Sequence, residues 1–327
     1  MVLYHLKKHF TWFLECIKYQ PTLIHLTPLG TDMHLKLPPG SCDCHVHLFD
    51  PERFPYAPKR SYTPGTVRVA DLLAFEERLG IDRIVLVQPS VYGTDNAAML
   101  AGLRELGPDR ARGVAVIDPK AATIGDLRAM HDQGVRGIRL NLAANLDRDH
   151  SAALEQLRHA ADVVGQLGWA IQIYADVDVV ASMARGIEQL SVPVVLDHFA
   201  GARAANQPGQ HDAFDAVIAL VRSGRTYVKL SAPYRASKQA PDYADLDPIA
   251  VRLIEARPDR MVWASDWPHT GSAAQRSGDL SQVEPFRNID AACALDRLQT
   301  WTKDEPLRRR ILVENPMNLY GFAAPTR

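Results

Sequence analysis

Asp43, Cys44, His45, Val46 and His47 follow one another in the chain, a spacing that could gather two imidazoles at one point. On an extended strand alternate side chains share a face. Asp43, His45 and His47 are therefore expected to point one way, and Cys42, Cys44 and Val46 the other. Two converging imidazoles can bind a metal ion or donate hydrogen bonds to a developing oxyanion. The alternative is two ordinary buried histidines, each of which would still need a polar partner. Asp266 closes the apolar run 261–265 (MVWAS) as its one charge. A carboxylate there can bind metal or serve as general base toward water; a helix N-cap ahead of Trp267-Pro268 is its structural alternative. His198 adjoins Asp197 in VVLDHF. Alternation lets one of the two face inward, and His198 is taken as that one.

Residues this far apart must be brought together by a repeating scaffold. Eight apolar, β-branched runs occur: 41–48 (SCDCHVHL), 81–88 (IDRIVLVQ), 111–118 (ARGVAVID), 135–141 (VRGIRLN), 170–176 (AIQIYAD), 192–199 (VPVVLDHF), 226–232 (TYVKLSA) and 261–266 (MVWASD). Their starts lie 22 to 40 residues apart, the length of a strand plus a crossover helix. Between them, residues 71–79 place Leu72, Phe75, Glu76 and Leu79 at helical spacing, and residues 151–167 carry a stripe of Leu154, Leu157, Ala161, Val164 and Leu167. Alternating strands and helices predict a parallel sheet, and eight repeats without a break predict a closed α/β (β/α)8 TIM barrel as a single domain over residues 35–327. A doubly wound sheet is the runner-up, but no G-x-G-x-x-G follows the first strand. Residues 1–34 mix Lys, His and Glu into short apolar groups. They read as an N-terminal extension, either an added helix or the product of a start placed upstream of Met33.

Barrel enzymes carry their chemistry at the C-terminal ends of the strands. His45 and His47, Ser90, Arg139, Tyr174, His198, Arg235 and Asp266 all fall at or just beyond such ends. Composition narrows the partners. The 327 residues hold 37 Lys plus Arg against 38 Asp plus Glu, which argues against a nucleic-acid binder and against a disordered chain. No apolar run approaches the roughly 18 residues of a membrane span. Four cysteines in a chain of this length do not make a disulfide scaffold, so reduced thiols and a cytoplasmic location are expected.

The motifs C-D-x-H-x-H-L-F-D-P, G-V-R-G-I-R-L-N, V-L-D-H-F, W-A-S-D-W-P-H and E-N-P-M-N-L-Y-G-F, spread over residues 38–323, resemble the amidohydrolase superfamily. Within it the chain is similar to the 2-pyrone-4,6-dicarboxylate lactonase branch. Metal-dependent members draw ligands from the first-strand H-x-H, a carboxylated Lys or a Glu on strand four, His on strands five and six, and Asp on strand eight. This chain keeps His45, His47, His198 and Asp266, but offers Arg139 and Asn141 on strand four and Tyr174 on strand five. The resemblance therefore implies a site that requires no metal, with zinc or manganese on His45, His47, His198 and Asp266 as the alternative.

It further implies a small di- or tricarboxylate substrate. Arg139, Arg148 and Arg235 match the carboxylate-binding arginines, whose forks bind carboxylates bidentately; a surface salt bridge is the alternative for any one of them, and Arg136 is a weaker candidate. Ser90 and Tyr174 match hydrogen-bonding positions of the ligand pocket, and Tyr62 is expected to close over it. The implied reaction is opening of a lactone such as 2-pyrone-4,6-dicarboxylate in aromatic catabolism. Asp266 would activate water while His45, His47 and His198 polarise the carbonyl. A metal-dependent hydrolase or decarboxylase, a sugar-lactone hydrolase, and a non-catalytic carboxylate-binding barrel are the competing readings.

Overall fold

In the computed structural model, residues 35–142, 150–204, 210–271, 276 and 278–325 are described. Eight parallel strands form one sheet in chain order: β1 (Cys42–Val46), β2 (Arg83–Val87), β3 (Ala111–Ala115), β4 (Val135–Asn141), β5 (Ala170–Tyr174), β6 (Val194–Leu196), β7 (Thr226–Ser231) and β8 (Met261–Ala264). Each is followed by a helix: α1 (Val69–Leu79), α2 (Ala97–Leu106), α3 (Ile124–Asp132), α4 (His150–Gly165), α5 (Val177–Glu188), α6 (Gln210–Arg222), α7 (Asp247–Ala256) and α8 (Ala291–Trp301). The ring closes where β8 returns to β1. Asp266 N–H donates to His45 O at 3.0 Å, and His47 N–H donates to Trp267 O at 2.9 Å. This is the expected (β/α)8 barrel.

Local sequence explains the elements. The strands are runs of Val, Ile, Leu and Ala, buried on both faces as parallel strands under a helical coat must be. Helix α1 buries Val69, Leu72, Phe75, Glu76 and Leu79 on one stripe and stops at Gly80, whose φ of 72° suits a residue without Cβ. The N-terminal end of the barrel is filled by Cys42, Val85, Val114, Ala170, Val195, Tyr227 and Val262, with Tyr320 and Phe322 from the C-terminal segment packed beneath. Arg112 fastens that segment by donating to Tyr320 O at 3.1 Å and Gly321 O at 2.8 Å. The apolar floor leaves the opposite, C-terminal end for polar groups.

Candidate active site

The two strand-one histidines enter the barrel through a break in strand alternation. Pairing of β1 with β2 shifts register between Asp43 and Val46, a bulge that re-aims side chains. Asp43 consequently turns toward Glu76 of α1, while His45 turns toward Lys229 of β7, 3.2 Å away. The expectation that Asp43, His45 and His47 share a face is therefore corrected. His45 and His47 do meet, Nε2 to Nε2 at 3.2 Å, with rings at an interplanar angle of 87°. His47 Nδ1 donates to Val87 O at 2.7 Å. Asp43 accepts from His45 N–H at 3.0 Å and Ser265 N–H at 3.1 Å, tying β1 to the end of β8. Burial pushes its carboxyl up to about 7, and burial together with the charge of Asp43 raises Glu76 well above the carboxylate range.

A second break lies after β6. Asp197 remains extended, but His198 takes a φ of 50°. Both side chains then reach the interior, contrary to the expectation that only one would. His198 Nδ1 sits 2.9 Å from Ser231 Oγ. Asp197 accepts from Gln172 Nε2 at 2.9 Å and lies 3.3 Å from Lys229 Nζ. Burial opposes its ionisation, but the ammonium of Lys229 together with the imidazoles of His45 and His198 outweighs that and holds the carboxyl well below its usual range.

Asp266 occupies the mouth, 2% exposed, with a φ of 65°. A non-glycine residue persists there only where its surroundings over-determine it. Its Oδ2 accepts from Tyr234 OH at 2.5 Å and Arg235 Nε at 2.8 Å. Its Oδ1 faces the Nε2 atoms of His45, His47 and His198 at 3.6, 3.8 and 3.9 Å. Burial raises the Asp266 carboxyl, yet the Arg235 guanidinium and the imidazoles more than compensate and hold it well below the carboxylate range. Burial also lowers all three imidazoles, His47 and His198 to about 4 and His45 well below its ordinary value. At neutral pH the site is one carboxylate facing three neutral rings.

The other expected residues divide. Arg139, on β4, is 9% exposed; it lies 3.5 Å from Asp197 Oδ2 and over the ring of Tyr174 at 5.4 Å. Among the described residues its guanidinium makes no hydrogen bond. Tyr174 ends β5 with its ring edge-on to His198, centroids 5.3 Å apart. Tyr62 is buried under the guanidinium of Arg276 at 4.3 Å. Arg235 is spent on Asp266 and on Thr270, to whose O and Oγ1 it donates at 3.2 Å. Ser90 is exposed on the turn after β2 and makes no side-chain hydrogen bond among the described residues. Arg136 donates to His131 O and Val135 O at the far end of the barrel. Arg148 lies outside the described residues. His269 packs edge-on to Tyr234 at 5.8 Å.

Sequence reasoning missed Lys229, Gln172, Asp197 and Tyr234. For Gln172 a signal existed: it lies two residues before Tyr174 on β5, on the face of a residue already singled out. Among the described residues, two groups bring possible metal-ligating atoms within 4.8 Å of one another: His45 with Asp197 and His198, and His45 with His47 and Asp266.

An eight-stranded barrel carrying an H-x-H on its first strand, a histidine after its sixth and an aspartate after its eighth has the build of an amidohydrolase, and the chain belongs to that family: the family model described as amidohydrolase matches residues 42–322. It is 34% identical over 289 residues to a 4-sulfomuconolactone hydrolase of Rhizobium radiobacter, covering 87% of this chain and 91% of the relative. A 2-pyrone-4,6-dicarboxylate hydrolase of Comamonas testosteroni is 32% identical over 295 residues, with the same coverage. Among solved structures, a Pseudomonas putida chain put forward as a 2-pyrone-4,6-dicarboxylic acid hydrolase superposes with a TM-score of 0.72, at 28% identity over 88% of this chain and 99% of that one.

Proposed function

We propose that this chain hydrolyses a carboxylated lactone, with 2-pyrone-4,6-dicarboxylate as the leading substrate, in a step of aromatic catabolism. The observation that carries the reading is Asp266 Oδ1 facing three imidazole Nε2 atoms, with the guanidinium of Arg139, paired to Asp197 at 3.5 Å but without a hydrogen bond among the described residues, beside them. Two relatives whose names state lactone hydrolysis support it. Asp266, ionised, takes a proton from water. The hydroxide adds to the lactone carbonyl carbon, and its oxygen becomes an oxyanion held by N–H donors of the site. Collapse breaks the ring C–O bond, and the leaving oxygen takes the proton back from Asp266. Arg139 pairs a substrate carboxylate, and Tyr174 and Tyr62 border the ring. Water is consumed and a ring-opened acid leaves.

The family also uses metals, so the fit of the residues to a metal ion matters. The ligand atoms are close enough together. Their surroundings are unfavourable: Arg139 stands where a bridging anion would be needed, Lys229 lies 3.2 Å from His45, and Asp266 Oδ2 is saturated by Tyr234 and Arg235. A divalent ion would enter beside three cations. The donor set is thus a poor match, and no step is routed through a metal. Purified protein assayed against carboxylated and neutral sugar lactones, with elemental analysis and with and without chelator, tests both parts. Turnover of carboxylated lactones that survives the chelator is expected. Turnover confined to neutral lactones overturns the substrate, and stoichiometric zinc with chelator-sensitive activity overturns the metal-free reading.

A further inference from the structure

Lys229 lies at the barrel centre with no solvent exposure. An ammonium has three N–H donors and no lone pair to accept with. Nζ donates to Gln172 Oε1 at 2.7 Å and to His45 Nδ1 at 3.2 Å, and its charge is balanced by Asp197 Oδ1 at 3.3 Å. His45 Nδ1 must therefore be the acceptor in its contact with Lys229. Asp197 Oδ1 is nearly as close to that nitrogen, at 3.3 Å, and its charge favours a proton there, but the contact lacks the alignment of a hydrogen bond. A neutral imidazole whose Nδ1 accepts carries its proton on Nε2.

The opposite side of the ring gives the same answer independently. His47 Nδ1 faces Val87 O at 2.7 Å. A carbonyl only accepts, so His47 holds its proton on Nδ1 and its Nε2 is bare. His45 Nε2 lies 3.2 Å from that bare nitrogen, and a contact between two ring nitrogens is a hydrogen bond only when one of them carries a proton. The proton must be that of His45.

We propose that Lys229 is a positioning residue that fixes His45 as an Nε2–H donor directed into the site, so that His45 stabilises the oxyanion while His47 offers a lone pair. This separates two histidines that the sequence gives the same role. It also takes Nε2 of His45 out of the set of nitrogens free to ligate a metal. Only the oxyanion clause rests on the lactone reading.

The test is the tautomer itself, read by long-range proton–nitrogen correlation on protein carrying nitrogen-15 histidine, with the His45 signals identified by their loss in His45→Gln. Ligand-free wild type should show a protonated Nε2 and a bare Nδ1. In Lys229→Met the donor to Nδ1 is gone and Asp197 is in reach to accept, so His45 should switch to Nδ1–H. The turnover number for 2-pyrone-4,6-dicarboxylate should fall about 10²–10³-fold, the cost of one lost oxyanion donor, with little change in KM. Asp197→Asn, which removes the competing acceptor and spares Lys229, should retain Nε2–H. Wild-type His45 protonated on Nδ1, a folded Lys229→Met that keeps Nε2–H, or an Asp197→Asn that switches to Nδ1–H each overturns the proposal. Should the protein fail to open any lactone while His45 still reads Nε2–H, the proposed function falls and the tautomer assignment stands.

Discussion

Replacing Asp266 by Asn removes one proton acceptor and little else. The amide oxygen can stay on Tyr234 OH and Arg235 Nε, now 2.5 and 2.8 Å from Oδ2. The amide nitrogen then occupies the Oδ1 place, 3.8 and 3.9 Å from Nε2 of His47 and His198. Weakening a charge-assisted bond while keeping its geometry costs about 1–3 kcal/mol of stability, so the variant should fold. General-base catalysis contributes about 10²–10⁴-fold. Because Arg235 holds the Asp266 carboxyl well below the usual range, it is a weak base, and the loss should fall at the lower end: about 10²–10³-fold in kcat, or roughly 3–4 kcal/mol of barrel-bound transition-state stabilisation. The assay is steady-state hydrolysis of 2-pyrone-4,6-dicarboxylate beside calorimetric binding of the same compound to the variant. Removing a negative charge should leave binding of a dianion unchanged or tighter. A kcat within about tenfold of wild type, or lost turnover explained by lost binding, refutes the assignment.

Arg139→Met should raise KM for a carboxylated lactone by about 10- to 150-fold, the value of a charge-assisted pair of about 1.5–3 kcal/mol, with a smaller effect on kcat; an unchanged KM rules out carboxylate pairing at this residue. A neutral sugar lactone should lose nothing in the same variant, and an equal loss would mean that Arg139 acts on the fold. Asp43 has a folded pKa of about 7, above its unfolded value. Its contribution to stability is therefore complete below about pH 4 and disappears as pH rises through about 7. Melting temperatures should show wild type losing stability across that window and Asp43→Asn losing less; parallel curves exclude the buried pair with Glu76 as the cause. Phe322→Ala should cost about 3–5 kcal/mol in denaturant unfolding, since the ring is buried beneath the barrel with the Arg112 guanidinium 4.5 Å from its centroid; a cost under about 1 kcal/mol would show that the C-terminal segment is not a structural plug.

The barrel was legible because strand-plus-helix spacing is a chain-length property: the run 135–141 coincides with β4, and residues 71–79 fall within α1. The positions of His45, His47, His198 and Asp266 were legible because lone polar residues at the ends of apolar runs need an explanation. Two features were hidden by one physical cause. Strand alternation sets which side chains face inward only along a regular strand, and it fails where the backbone departs from one. The bulge in β1 sends Asp43 to Glu76, and the left-handed turn after β6 admits Asp197 together with His198. Arg235 shows a different limit. Its place after β7 suggested a ligand for substrate, but only coordinates reveal that Asp266 and Thr270 already hold it.

That tether bears on how the work of catalysis is shared. A general base is most effective with a pKa near the working pH, and Asp266 lies far below it because Arg235 donates to it at 2.8 Å. The arrangement secures ionisation and orientation at the expense of proton affinity. The larger share of rate enhancement must then come from groups aimed at the developing negative charge, whose value is greatest where water is excluded. Around the neutral imidazoles, the described cations Lys229, Arg139 and Arg235 outnumber the carboxylates Asp197 and Asp266 by one. One unit of negative charge, arriving as a substrate carboxylate or growing on the carbonyl oxygen, brings the cluster to balance. A neutral lactone supplies that charge only in the transition state, and a carboxylated one supplies it already on binding. Under the proposed function, this one uncompensated cation favours either a carboxylate of the bound ring or the oxyanion of the transition state, whichever negative charge reaches it.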